Sequence, residues 1–120
     1  MHAVKVLLTD DNVDVFEVDE FGRTALYIAS FHTDSVELVS LLLDNPYRIK
    51  LLETADDDGM TPLMSAALAG NTQILKYLLQ QDGLGVVLRN KKGETALALA
   101  VAENNHDCVR ILEQAELASF

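Results

Sequence analysis

An all-α solenoid, in which short helix pairs stack side by side, is the fold this sequence predicts, and three observations predict it. A Gly-x-Thr-(Ala/Pro)-Leu string begins at Gly22, Gly59 and Gly93, with steps of 37 and 34 residues. Each string places an alanine three residues beyond its leucine, at Ala29, Ala66 and Ala100. Each is then followed by an apolar block, over residues 36–43, 74–79 and 109–112. Self-similarity at this period is the mark of stacked supersecondary units, none of which can bury its apolar side alone.

Taken in order, Val4-Lys5-Val6-Leu7-Leu8 reads as the second helix of a unit whose first helix is missing. Val13-Asp14-Val15 reads as an extended run before the next turn. Thr24, Thr61 and Thr95 each start a short helix, since threonine is a good N-cap and proline or alanine suits the turn after it. The glycine two residues earlier permits the tight turn that leads into the cap. The first helices carry leucine and small alanines, so a neighbour can approach closely. Gly70 and Asn104 supply the left-handed residue that ends such a helix. In the first unit Phe31-His32-Thr33-Asp34 stands there instead, and Asp34 with Glu37 resembles a reciprocal cap for the second helix. That helix is amphipathic, with Leu38, Leu41 and Leu42 at helical spacing. One extra residue of the longer first spacing lies between the helices and the others in residues 44–50, where Asn45-Pro46 marks a surface loop, read as drift in preference to a partner-specific contact. Glu113 stands where the other units have Leu43 and Leu79, which suits an exposed terminal helix. The organisation expected is one domain over 1–120: a partial repeat (1–18), two repeats (19–55 and 56–89) and a C-terminal capping repeat (90–120). The C-terminal edge reads as a true end and the N-terminal edge does not. A rival reading follows, in which the chain is part of a longer array or self-associates through residues 1–8.

The totals narrow the function. The chain is 49% hydrophobic, enough for a core, and no apolar run approaches the roughly 20 residues that span a bilayer. The N-terminus lacks the pattern of a secretory signal. Cys108 is the only cysteine, so no internal disulfide can form, and a cytoplasmic or nuclear location is expected. A net charge of −10 repels nucleic-acid phosphates and anionic headgroups; it reads first as a source of solubility and second as a preference for a basic protein partner.

These residues resemble the ankyrin repeat, a β-turn followed by two helices with a T-P-L-H-x-A signature. Thr61-Pro62-Leu63-Met64-Ser65-Ala66 is the nearest match, and Thr24-Ala25-Leu26-Tyr27-Ile28-Ala29 and Thr95-Ala96-Leu97-Ala98-Leu99-Ala100 carry alanine for proline. The resemblance spans essentially the whole chain. The signature's histidine is replaced by Tyr27, Met64 and Ala98. In the family that histidine ties adjacent turns together, so the resemblance implies that these turns are held less tightly.

No catalytic, metal or cofactor site is expected. His2, His32 and His106 lie in different units without partners at metal-ligand spacing. Cys108 falls in the apolar stripe of the last helix and reads as a buried, inert thiol. Ser30, Ser65 and Ser119 lack a G-x-S-x-G context, and Gly83-Leu84-Gly85 is followed by valines, not by a phosphate-loop lysine. Asp56-Asp57-Asp58-Gly59 lacks the alternating ligands of a calcium loop and reads as an acidic turn tip.

The resemblance implies a non-catalytic protein-interaction domain (adaptor, inhibitor or assembly chaperone) shaped like a cupped hand, with turn tips as fingers and first helices as palm. The fingers fall at residues 19–23, 56–60 and 90–94, and the palm-side helix ends at Phe31-His32, Leu68-Ala69 and Ala102-Glu103. The partner-binding residues expected are Glu20, Phe21, Arg23, Phe31, His32, Asp57, Asp58, Met60, Leu68, Lys91, Lys92, Glu94 and Glu103. Phe21, Phe31, Met60 and Leu68 would supply apolar area within an acidic rim.

Overall fold

A computed structural model of the chain describes residues 17–32, 35–44, 46–81 and 88–118. The expectations for residues 1–8, 13–15 and 83–85, including self-association through the N-terminal edge, lie outside the described residues. Within them stand seven helices: α1 (Ala25–His32), α2 (Val36–Leu42), α3 (Arg48–Glu53), α4 (Pro62–Ala69), α5 (Thr72–Leu79), α6 (Ala96–Ala102) and α7 (His106–Ala118). The described residues form no strand, only an isolated antiparallel bridge between Val18 and Thr24.

The repeated threonine does the same job three times. Its hydroxyl accepts from the N–H three residues on: Tyr27 to Thr24 at 3.3 Å, Met64 to Thr61 at 3.3 Å and Ala98 to Thr95 at 3.2 Å. One orphan donor of each first helix is thereby satisfied. At the far end, Gly70 and Asn104 take positive φ values of 72° and 58°, as their positions predict.

The helices form two rows. In one, α1 packs on α4 and α4 on α6; in the other, α2 packs on α5 and α5 on α7. The palm row approaches closely because Ala29, Ala66, Ala67 and Ala100 are buried in it. Leu26, Leu63, Leu38, Leu42, Ile74, Leu75, Leu78 and Leu112 fill the space between rows. Polar side chains bind unit to unit. Asn71 donates its amide to the Ser30 carbonyl at 3.0 Å, and Asn105 does the same to Ala67 and Leu68 at 2.9 and 3.2 Å. The buried Ser65 hydroxyl donates to the Tyr27 carbonyl at 3.1 Å. Among the described residues no buried side-chain nitrogen or oxygen lacks a partner.

Three expectations need correction. The segment read as a loop, 44–50, gives way at Arg48 to α3, whose Leu51 and Leu52 are buried, so the longer first unit adds a helical plug to the core. The N-cap of α2 is Ser35, which accepts from Leu38 N–H at 3.2 Å; the expected cap at Asp34 is displaced by one residue. Leu41 is exposed while Val39 is buried, because α2 turns its Leu38-Val39-Leu42 side inward. Cys108 is buried as expected, and burial, with Asp107 adding to it, pushes its thiol up, so that it stays protonated.

Candidate interaction surface

The three fingers are built alike from an Asx residue. Asp19, Asp56 and Asn90 each donate their N–H to the carbonyl four residues on and accept, through their own carbonyl, from the glycine three residues on. The side chain completes the turn. Asp19 Oδ1 accepts from Phe21 and Arg23 N–H, Asp56 Oδ1 from Asp58 and Met60, and Asn90 Oδ1 from Lys92 and Glu94, all at 2.9 Å. Such local bonds are why Asp and Asn favour turns. Of the acidic run at 56–58, the first carboxylate therefore builds the finger, while Asp57 and Asp58 are exposed.

Adjacent fingers are joined through their backbones, Asp57 N–H donating to Phe21 C=O at 3.0 Å and Lys91 N–H to Asp58 C=O at 3.0 Å. With Tyr27, Met64 and Ala98 in place of the signature's histidine, adjacent units are joined by these backbone bonds and by the Ser65 hydroxyl.

The first finger carries one ion pair. The Arg23 guanidinium meets Asp19 Oδ2 at 2.7 Å and lies over the Phe21 ring at 4.7 Å. This partner holds the Asp19 carboxyl below the usual carboxylate range. Arg23 is thus spent within the finger, leaving Glu20 and Phe21 exposed at its tip. At the end of α1, Phe31 and His32 are exposed, their rings 4.8 Å apart in an edge contact.

A groove of about 520 Å³ runs between the second and third fingers and the palm. It gathers seven of the expected residues: Asp58, Met60, Leu68, Lys91, Lys92, Glu94 and Glu103. Glu20, Phe21, Arg23, Phe31, His32 and Asp57 do not line it. Met60 is corrected from exposed anchor to buried floor: it is 8% exposed, and Asn90 donates its amide to Met60 Sδ at 3.3 Å. Leu68 is half-buried beside it. The expected partner-binding set omitted Tyr27 and Leu99, and Asn90 was placed only as a finger residue; all three line the groove. Tyr27 occupies the signature's histidine position, a signal that was visible but read as a loss. Burial pushes its phenol up, with Asp56 acting in the same direction and Arg23 against it.

The family comparison agrees with this geometry. A family model described as "Ankyrin repeats (3 copies)" matches residues 37–118. The chain belongs to the ankyrin-repeat family. A second model, "Ankyrin repeats (many copies)", matches residues 1–43. The human "Ankyrin repeat domain-containing protein 63" is 36% identical over 111 residues, covering 88% of this chain and 28% of that protein. The rat "Ankyrin repeat and SAM domain-containing protein 6" is 37% identical over 111 residues, covering 91% of this chain and 12% of its own length. "Palmitoyltransferase AKR1" of Lachancea kluyveri is 33% identical over 97 residues, covering 81% of this chain and 12% of that enzyme. The chain therefore spans 28% or less of the length of these three relatives. Ankyrin repeats generally mediate protein–protein interaction. Among the described residues, no helix is long and apolar enough to cross a membrane.

Proposed function

We propose that this ankyrin domain is a non-catalytic module that binds a partner protein through its fingers and palm, the partner contributing basic and apolar groups. One observation carries the reading: the groove sets the apolar floor of Met60, Leu68 and Leu99 inside a rim holding Asp58, Glu94 and Glu103. Apolar anchors within a polar rim are the usual anatomy of a binding site. Lys91 and Lys92 stand on the same rim and orient a partner by opposing charge at the third finger. Exposed Phe21 and Phe31 extend the apolar area along the earlier unit. The net charge of −10 adds long-range attraction for a basic partner, which acts mainly on association rate and register. A cytosolic or nuclear setting accords with Cys108 being the only cysteine of the sequence.

The test is affinity capture with the 120-residue chain at low and raised salt, repeated with Asp57 and Asp58 replaced by lysine and with Phe31→Ala. A partner held by this face is released by salt and by either variant, while far-UV circular dichroism stays unchanged. Equal capture by all three proteins removes the face from consideration.

A further inference from the structure

The floor of the groove holds one polar group that the fold does not use. Tyr27 is 9% exposed and lines the groove, yet its hydroxyl has no hydrogen-bond partner among the described residues. Its backbone is occupied, with the N–H on Thr24 and the carbonyl accepting from Ser65. Since no buried side-chain oxygen goes unpartnered among those residues, the hydroxyl reaches the open space of the groove. The phenol is nine-tenths buried, and its hydroxyl faces the groove without an internal bond among the described residues. That is the condition in which a site discriminates strongly for a partner that supplies the missing bond.

We infer that Tyr27 is the specificity-determining hydrogen-bond donor of this groove, reading a main-chain carbonyl of an extended partner segment whose apolar side chain sits between Leu68 and Leu99 and whose adjacent lysine or arginine meets Asp58. The inference rests on the interaction reading above and names the partner's chemistry at this site. An apolar residue on the floor has only its backbone to offer beside its own side chain, so the acceptor is a main-chain carbonyl. Raised above the ordinary tyrosine range, the phenol keeps its proton at neutral pH and donates. Methionine and alanine hold the matching positions of the other two units, so this donor occurs once along the three units.

The test uses a displayed library of random peptides with blocked ends, panned on the 120-residue chain, and the selected peptides are synthesised and titrated. The expected peptides pair an apolar residue with lysine or arginine. Tyr27→Phe, which keeps the ring and removes only the hydroxyl, should weaken them about three- to tenfold with an unchanged urea midpoint. Exchanging the peptide amide whose carbonyl accepts for an ester makes that carbonyl a poorer acceptor. The exchange should cost affinity on the wild-type chain and none on Tyr27→Phe. Equal affinity for Tyr27→Phe, acidic selected peptides, or no selection at all would overturn the inference. If Asp58→Lys and Phe31→Ala weaken binding while Tyr27→Phe does not, the interaction face stands and the role of Tyr27 falls. If none of the three variants matters, both fall.

Discussion

At the scale of the residue, the finger glycines separate two costs that usually come together. Gly59 and Gly93 have nearly the same left-handed φ, 79° and 80°. A Cβ on Gly59 would lie 2.9 Å from Lys91 N, whereas one on Gly93 would meet nothing within 4 Å. Gly93→Ala should therefore cost only the left-handed conformation, roughly 1–2 kcal/mol. Gly59→Ala adds a clash with the backbone that ties two fingers, and should lower stability at least twice as much in urea unfolding. Equal losses would mean that the fingers separate freely. Glycine and threonine were legible in the sequence because backbone geometry leaves few substitutes for either. Asp19, Asp56 and Asn90 were not, since a carboxylate on a turn looks alike whether it faces water or caps the turn's own N–H groups. Met60 failed for a related reason: a finger residue points outward or inward according to where the next finger lies, which is a tertiary fact.

Among the elements, α3 shows how local signals can be outweighed. The loop signal of Asn45-Pro46 is followed closely by a six-residue helix, Arg48–Glu53, which buries Leu51 and Leu52 at 1% exposure each. No propensity argument stabilises so short a helix in water; its packing against α4 does. The apolar pair in Leu51-Leu52 was the available clue, and it was subordinate to the proline. Leu52→Ala should accordingly destabilise the domain by about 2–5 kcal/mol, as deletion of a core leucine does. Leu117→Ala, at a site 76% exposed on α7, should stay within about 0.5 kcal/mol. Thermal or urea unfolding of the two variants decides the matter. A small loss at Leu52 would mean that α3 is a surface insertion and not part of the core.

For the whole molecule, stacking makes stability a property of neighbours. Helix α4 touches α1 on one side and α6 on the other, with α3 packed on it as well, and residues 60–67 are buried throughout. Among the described residues helix α6 has such a neighbour on one side only: Val101 is 55% exposed where the matching Ser30 and Ala67 are buried, and a Cβ on Gly93 would meet none of them within 4 Å. In a chain of units coupled only to their neighbours, a unit with one interface opens at lower free energy than one with two. Native-state amide exchange of the 120-residue chain should therefore show α4 and α5 exchanging only through global unfolding, and α6 through a smaller opening. The α6 openings should converge on the global rate as denaturant is added, because local fluctuations expose little surface and respond weakly to it. Asn105→Ala removes the amide that binds the third unit to the carbonyls of Ala67 and Leu68, so it should speed exchange in α6 and α7 more than in α4. Uniform protection across α4 and α6 would show one indivisible cooperative block. The third finger and the groove wall it forms would then have no freedom to move independently of the second when a partner enters.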